Sequence, residues 1–357
     1  MRPLNIGVLL ALAALQVPAQ APQAISTPES EKPIVVSTTF IVAPVLVTDR
    51  SGNIIDGLQP HQFHLFDNNK QQNIQVDVAF EPISLVVLIE KAARVESILP
   101  QIKHLGTLLP LVVGDHGEAA VIGFDSRIQL LQDFTTDPDK VKAAIDKINA
   151  GSSGVRMIDA VDQGVSMLKK RPQNNRKIIL LVSETRDEGS EGRIRETMID
   201  AQLANVLVYP VDITQMVVRL TEKPVAPRPD PIAVTAQPGV MGNPSTPTTD
   251  FQNYGPAQAQ FAPLLMEIYR GTKRIFVDNP SEVLAKGTGG NQFFFVKQKG
   301  LEDAVQRLSQ EIRSQYLITY QPNNVGEPGF HQLAVTVDNS RYIAKTRPGY
   351  WIAGGKQ

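Results

Sequence analysis

Four short apolar runs, Ser84 to Ile89, Ala119 to Phe124, Lys177 to Val182 and Val206 to Val211, alternate with stretches whose apolar residues recur at helical spacing. Runs of six residues are too short for buried helices and too uniformly apolar for strands with one wet face, so they read as central parallel strands. Between them, Val95 to Leu111 reads as a helix with Pro100 in its first turn. Asp137 caps a second helix that carries Val141, Ile145 and Ile148. Met157 to Leu168 and Glu191 to Asn205 read as two more. Strand and helix in alternation, joined by short gaps, predict a mostly parallel sheet with helices on both faces and right-handed crossovers.

The flanks read differently. Residues from about 34 to 80 read as strands, with turns at Asp49-Arg-Ser-Gly52 and at Asp67-Asn-Asn-Lys70, the second suited to a hairpin. After a proline-rich insertion (224–263) and a short helical stretch at Ala262 to Arg270, a last sheet strand is expected at Asn291 to Val296. An amphipathic helix through Leu301, Val305, Leu308 and Ile312 follows. Strand patterns then return at Tyr316 to Tyr320, His331 to Val337 and Tyr342 to Thr346. Terminal strands left alone would be exposed edges of marginal stability, so the two ends are expected to pair as halves of a β-sandwich. The expected organisation is an N-terminal β segment (34–80), an α/β domain (81–312) and a C-terminal β segment (313–351), with a tail at 352–357.

Lys and Arg total 35 against 36 Asp and Glu, a net charge of -1 that provides no basic field for nucleic acid. The first residues read as an export signal. Arg2 is the positive end, Ile6 to Leu15 the short apolar run, and cleavage is expected after Ala19 or Ala21, followed by a leader at 22–33. No other segment approaches a membrane span, and the absence of cysteine removes both disulfides and a thiol nucleophile. The mature chain is expected in the periplasm or outside the cell.

In an open parallel sheet, ligands bind at the carboxyl ends of the strands. Three loops qualify: Glu90 to Arg94, Gly151 to Arg156, and Ser183 to Gly189. Here the chain resembles the von Willebrand factor type A domain family, in particular bacterial exported proteins with β segments on either side of the domain. Val45-Leu-Val-Thr-Asp-Arg-Ser-Gly52, Gly57-Leu58 with Phe63, Phe66-Asp67, Thr288-Gly-Gly290 before Phe293-Phe294, Ile312-Arg-Ser-Gln-Tyr316 with Tyr320, and Arg347-Pro-Gly-Tyr350 carry the resemblance. It implies a Rossmann-like domain inserted in the sandwich.

It also implies a metal site of the form Asp-x-Ser-x-Ser, with a threonine from a second loop and an aspartate from a third. Those positions fall on Glu90, Ala92, Arg94, Val155 and Glu184, and every one departs from the pattern. Magnesium and calcium want several oxygen ligands, which Ala92 and Val155 lack, and Arg94 would bring positive charge toward the ion. No cofactor is therefore expected. Glu90 and Glu184 either face Lys91, Arg94 or Arg156 in a salt-bridged cluster or sit in a looser solvated loop. A weaker alternative has the two glutamates holding an ion with Ser152 and Ser153.

Enzyme chemistry finds little support. Ser126 and Ser183 lack a histidine and acid in a recognised order, and His61, His64, His104, His116 and His331 read as structural or solvated. A paired-carboxylate acid and base would need Glu90 and Glu184 in a cleft. The expectation is an extracytoplasmic protein-interaction module without the family's metal. The alternative is a scaffold component whose contacts come from the insertion or a sandwich edge.

Overall fold

The computed structural model describes residues 40–77, 82–221, 279–294, 298–324 and 326–352. The expected export signal, leader, proline-rich insertion at 224–263 and helix at 262–270 lie outside them. Fourteen strands are described: β1 (Ile41–Thr48), β2 (Phe63–Asp67), β3 (Lys70–Gln71), β4 (Ile74–Asp77), β5 (Ile83–Glu90), β6 (Glu118–Phe124), β7 (Ile128–Thr135), β8 (Arg176–Ser183), β9 (Val206–Asp212), β10 (Phe293–Phe294), β11 (Tyr316–Tyr320), β12 (Gly329–Val337), β13 (Ile343–Lys345) and β14 (Gly349–Ile352). The α-helices are α1 (Leu99–Lys103), α2 (Leu105–Val113), α3 (Pro138–Asp146), α4 (Met157–Lys169), α5 (Ile194–Leu203), α6 (Thr214–Thr221), α7 (Pro280–Thr288) and α8 (Gln298–Ser314).

The central sheet has the order β10-β9-β8-β5-β6-β7. All its pairings are parallel except β6 with β7. Alternate residues of the buried strands feed two cores. Leu85, Val87 and Ile89 pack with Ile178, Leu180 and Val182 under α2, α3 and α8, while Val86, Leu88, Ile179 and Leu181 pack under α4, α5 and α7. The chain is thus an α/β fold with helices on both faces, and the continuous apolar runs exist because neither face is wet.

Three local differences have physical reasons. The helix expected over 95–111 is a 3-10 segment at Ala93–Ile98 followed by α1 and α2. Pro100 has no N–H for an α-type bond back to Glu96, so the α-helix can only begin around it. The helix expected from Glu191 begins at Ile194, because the amides of Glu191 and Gly192 are turned onto the Asp159 carboxylate, at 3.0 and 2.7 Å. Strand β7 has no counterpart in the sequence reading. Its pairing with β6 is interrupted by register shifts, which scatter Ile128, Leu130, Leu131 and Phe134 out of clean alternation.

The two ends form antiparallel sheets of order β13-β1-β11-β4 and β14-β12-β2-β3, so N-terminal and C-terminal strands interleave in both. Ala43, Val45, Leu65, Ile318 and Leu333 form their shared core. The β2–β3 hairpin turns through Asn68 and Asn69 at φ 49° and 63°, the left-handed pair that asparagine tolerates in a tight turn.

Asp67, at the end of β2, is the polar centre of this sandwich. Its carboxylate accepts from Tyr320 at 2.9 Å, from Tyr350 at 2.7 Å and from Asn324 at 3.1 Å, and lies 2.7 Å from His331 Nδ1. These residues come from β2, β11, β12, β14 and the turn before β12, so one buried carboxylate ties both sheets together. Replacing Tyr350 by phenylalanine keeps the ring and deletes one bond to a charged acceptor. It is expected to lower stability by about 1.5 kcal/mol in urea unfolding, and a change below a few tenths would show that the bond adds nothing.

Candidate functional site

The strand order puts β5 beside β8 at the point where the winding reverses, so a crevice falls between their carboxyl ends. Glu90 is the last residue of β5 and Glu184 follows β8 directly. The crevice is closed by Glu90 itself. Its side chain is fully buried, Oε2 accepts the Glu184 backbone N–H at 2.8 Å, and Oε1 has no partner among the described residues. Burial pushes the Glu90 carboxyl up to about 8, against the pull of that N–H and of Arg94. At neutral pH it is mainly an uncharged acid.

Ala92 and Val155 point into the apolar layer with Ile122, Phe124 and Met157. Arg94 is partly exposed, and its guanidinium meets Glu184 Oε1 at 3.2 Å. Burial raises the Glu184 carboxyl, and the charges of Arg94 and Arg186 counter it.

Lys91 does not face Glu90. It runs to Asp125, just past the end of β6, with Nζ to Oδ2 at 2.7 Å in a pair that is 8% and 0% exposed. Asp125 also accepts the amides of Arg127 at 2.7 Å and Ser152 at 3.0 Å. Burial works against its charge, but the Lys91 bond and these amides outweigh it and hold the carboxyl below its ordinary range. Gly151 lies against the pair. A Cβ there would collide with Asp125 Oδ2 and stand 2.8 Å from Lys91 Nζ, so only glycine fits. The loops are laced further by Gly151 N to Lys91 O (2.7 Å), Ala93 N to Ser152 O (3.0 Å) and Ser152 Oγ to Ser126 Oγ (2.6 Å).

Arg156 also turns away from both glutamates, to Asp159 at 2.7 Å and Glu191 at 3.6 Å. The salt-bridged cluster expected from the sequence is therefore one pair, Arg94 with Glu184. Lys91, Arg156 and Glu90 are committed elsewhere. Asp187 supplies what Arg156 cannot, a cap for α4, accepting from Met157 N at 2.8 Å and Ile158 N at 3.3 Å. The positive end of that helix is thus met by the protein's own carboxylate. Sequence reasoning missed both Asp125 and Asp187. Each is an aspartate close behind a buried strand (β6 and β8), and that position was the available clue. Ser183 is buried, its hydroxyl directed at Met157 Sδ, 3.4 Å away.

A stretch that takes in the second loop and parts of the first and third carries the family likeness. Residues 91–186 match the von Willebrand factor type A domain. No curated protein matches the chain. Among solved structures, similar chains include an aerotolerance-related membrane protein from Bacteroides fragilis (12% identity, TM-score 0.40, 64% of this chain and 98% of that one). BatB from Bacteroides thetaiotaomicron is another (13%, 0.38, 64% and 99%). A von Willebrand factor type A protein from Catenulispora acidiphila is a third (9%, 0.43, 83% and 75%).

The residues at these loops do not fit the divalent ion that the matched family implies. Ala92 and Val155 offer carbon where oxygen is needed, Arg94 brings a cation, and Glu90 spends one oxygen on a backbone N–H. Ser152, considered as a helper, has its hydroxyl on Ser126 and its amide on Asp125. Among the described residues no group of three or more His, Asp or Glu is placed to hold a metal. No described helix is long and apolar enough to cross a membrane.

Proposed function

We propose that the protein is an exported, non-enzymatic interaction module whose type A domain, taken as residues 81–312 between the two β segments, binds another extracytoplasmic protein without a bridging metal. The observation that carries this reading is the replacement of ligand chemistry by internal ties. Lys91 with Asp125 and Arg94 with Glu184 order the loops that a metal would otherwise hold. Around them Arg94, Arg127 and Arg186 are exposed, and neither Arg127 nor Arg186 has an ion-pair partner among the described residues. Arginine at such a rim favours carboxylate-bearing partners through paired N–H donors. A partner's acidic side chain would then meet guanidinium groups directly.

Calorimetric titration of the mature chain with magnesium or calcium is expected to give no saturable heat, with Glu90→Ala behaving alike. Tight binding abolished by that substitution would overturn the metal-free reading. The binding face is tested by cross-linked capture from envelope extract, comparing the parent with an Arg94→Ser, Arg127→Ser, Arg186→Ser variant. Loss of the same captured protein from the folded variant supports the proposal. Undiminished capture rejects this face in favour of a scaffold role based elsewhere on the chain.

A further inference from the structure

We propose that a pocket at the opposite end of the central sheet, where β8 begins, binds a small oxyanion, a phosphate or a carboxylate, on the ammonium group of Lys177. The pocket is about 140 Å³ and lies between the start of β8 and β9 and the sandwich strands β1 and β11. Lys177 is the second residue of β8, held between Ser84 of β5 and Val206 of β9. It is 8% exposed, and its ammonium takes part in no hydrogen bond or ion pair among the described residues.

A largely buried lysine without a counter-charge among the described residues is unusual, since charges so placed are ordinarily paired. Every other buried cation near the sheet has its place. Lys91 is on Asp125, and Arg176 donates to the Ile312 carbonyl and, at 2.7 Å, to Gln315 Oε1 on the other face. Arg347, 5.7 Å from the Tyr350 ring, also lines the pocket and adds positive charge to its wall. Asn175 and Asn205 supply amide groups at its rim, and among the described residues the only carboxylate lining it is Asp77, which is exposed.

Size sets the ligand class. A cavity of roughly 150 Å³ accepts a molecule the size of benzene. Phosphate or a short-chain carboxylate fits, and a nucleotide does not. Ammonium-to-oxyanion bonds are charge-assisted, about twice as strong as neutral ones. Burial lowers the Lys177 pKa below its ordinary 10.5, so a bound anion would restore it and anion affinity would fall as pH rises through the lowered value. Among the described residues the other charged residues lining the pocket are Arg176, whose guanidinium is held by Ile312 and Gln315, Arg347 and Asp77. The site is about 20 Å along β8 from Glu184, so it stands independently of the loop face.

The test is calorimetry and thermal unfolding of the full chain with inorganic phosphate, acetate or succinate, against sodium chloride at equal ionic strength. Saturable heat and a raised Tm are expected with phosphate or with a carboxylate, and the active arm names the source. Lys177→Met is expected to weaken that binding about tenfold or more, while Lys177→Arg keeps it. Because the methionine removes an unpaired charge, its Tm in anion-free buffer should equal or exceed the parent's, which separates lost binding from lost folding. Absence of saturable heat in every arm, or equal affinity in Lys177→Met, overturns the proposal.

Discussion

Lys91→Met is expected to lower the unfolding free energy by about 3–5 kcal/mol, the usual penalty for stripping one partner from a buried ion pair. Methionine keeps most of the stem's volume, so little of this is a cavity effect. The loss comes from Asp125, which stays fully buried with two amide donors and no counter-charge. Lys91→Met combined with Asp125→Asn removes both charges and should recover much of that loss, with a coupling of at least about 1 kcal/mol. Urea unfolding of the parent, both single variants and the double variant measures it. Additive losses, or a Lys91→Met cost under about 1 kcal/mol, would show that the pair does not hold the loops.

The second large effect is in pH. The Glu90 carboxyl sits at about 8 when folded against an ordinary 4.5. The folded chain therefore keeps a proton that the unfolded chain releases. The associated stability is fully present below about pH 4.5 and is lost as pH rises through 8. A shift of this size corresponds to roughly 4–5 kcal/mol in all, of which about 3 are gone by pH 7. The raised Glu184 carboxyl acts in the same direction. Glu90→Gln still accepts the Glu184 amide and cannot ionise, so its stability should change much less between pH 5 and 9. At pH 9 it should exceed the parent by several kcal/mol. Parallel stability curves for the two proteins would mean that Glu90 titrates normally and the crevice is wet.

Much of this architecture is legible in the chain. Uniform apolar runs report strands buried on both faces, and Asp137 before Pro138 reports a helix start that the structure keeps, with its side chain accepting from Asp139 and Lys140 amides. The strand patterns at both ends found each other, Ile41 opposite Tyr320 and Phe63 opposite Val337. At the crevice, the family resemblance pointed to Glu90, Ala92, Arg94, Val155 and Glu184, and charge left Lys91, Arg94 and Arg156 as alternative partners for the two glutamates. What spacing does not carry is which charge turns which way. Lys91 and Glu90 are neighbours on an extended strand end and so point to opposite sides. That sends Lys91 to Asp125, a residue from another strand, and leaves Glu90 facing a backbone amide. Asp67 was similarly hidden. In sequence it belongs to a turn, and its four polar neighbours come from three distant strands and a distant turn.

The interleaved sandwich also sets an order of assembly. β1 and β2 precede the central domain in sequence, yet their partners β11, β12 and β13 follow it. The central domain has nearly all of its own strands in hand long before that and can fold as a unit during synthesis. Until the final strands arrive, β1 and β2 present unpaired backbone that can join a neighbouring copy instead. Contacts this distant in sequence also close slowly. Fidelity of folding in this protein thus depends on its last forty or so described residues, which act as a clasp fastened after everything between the two halves is complete.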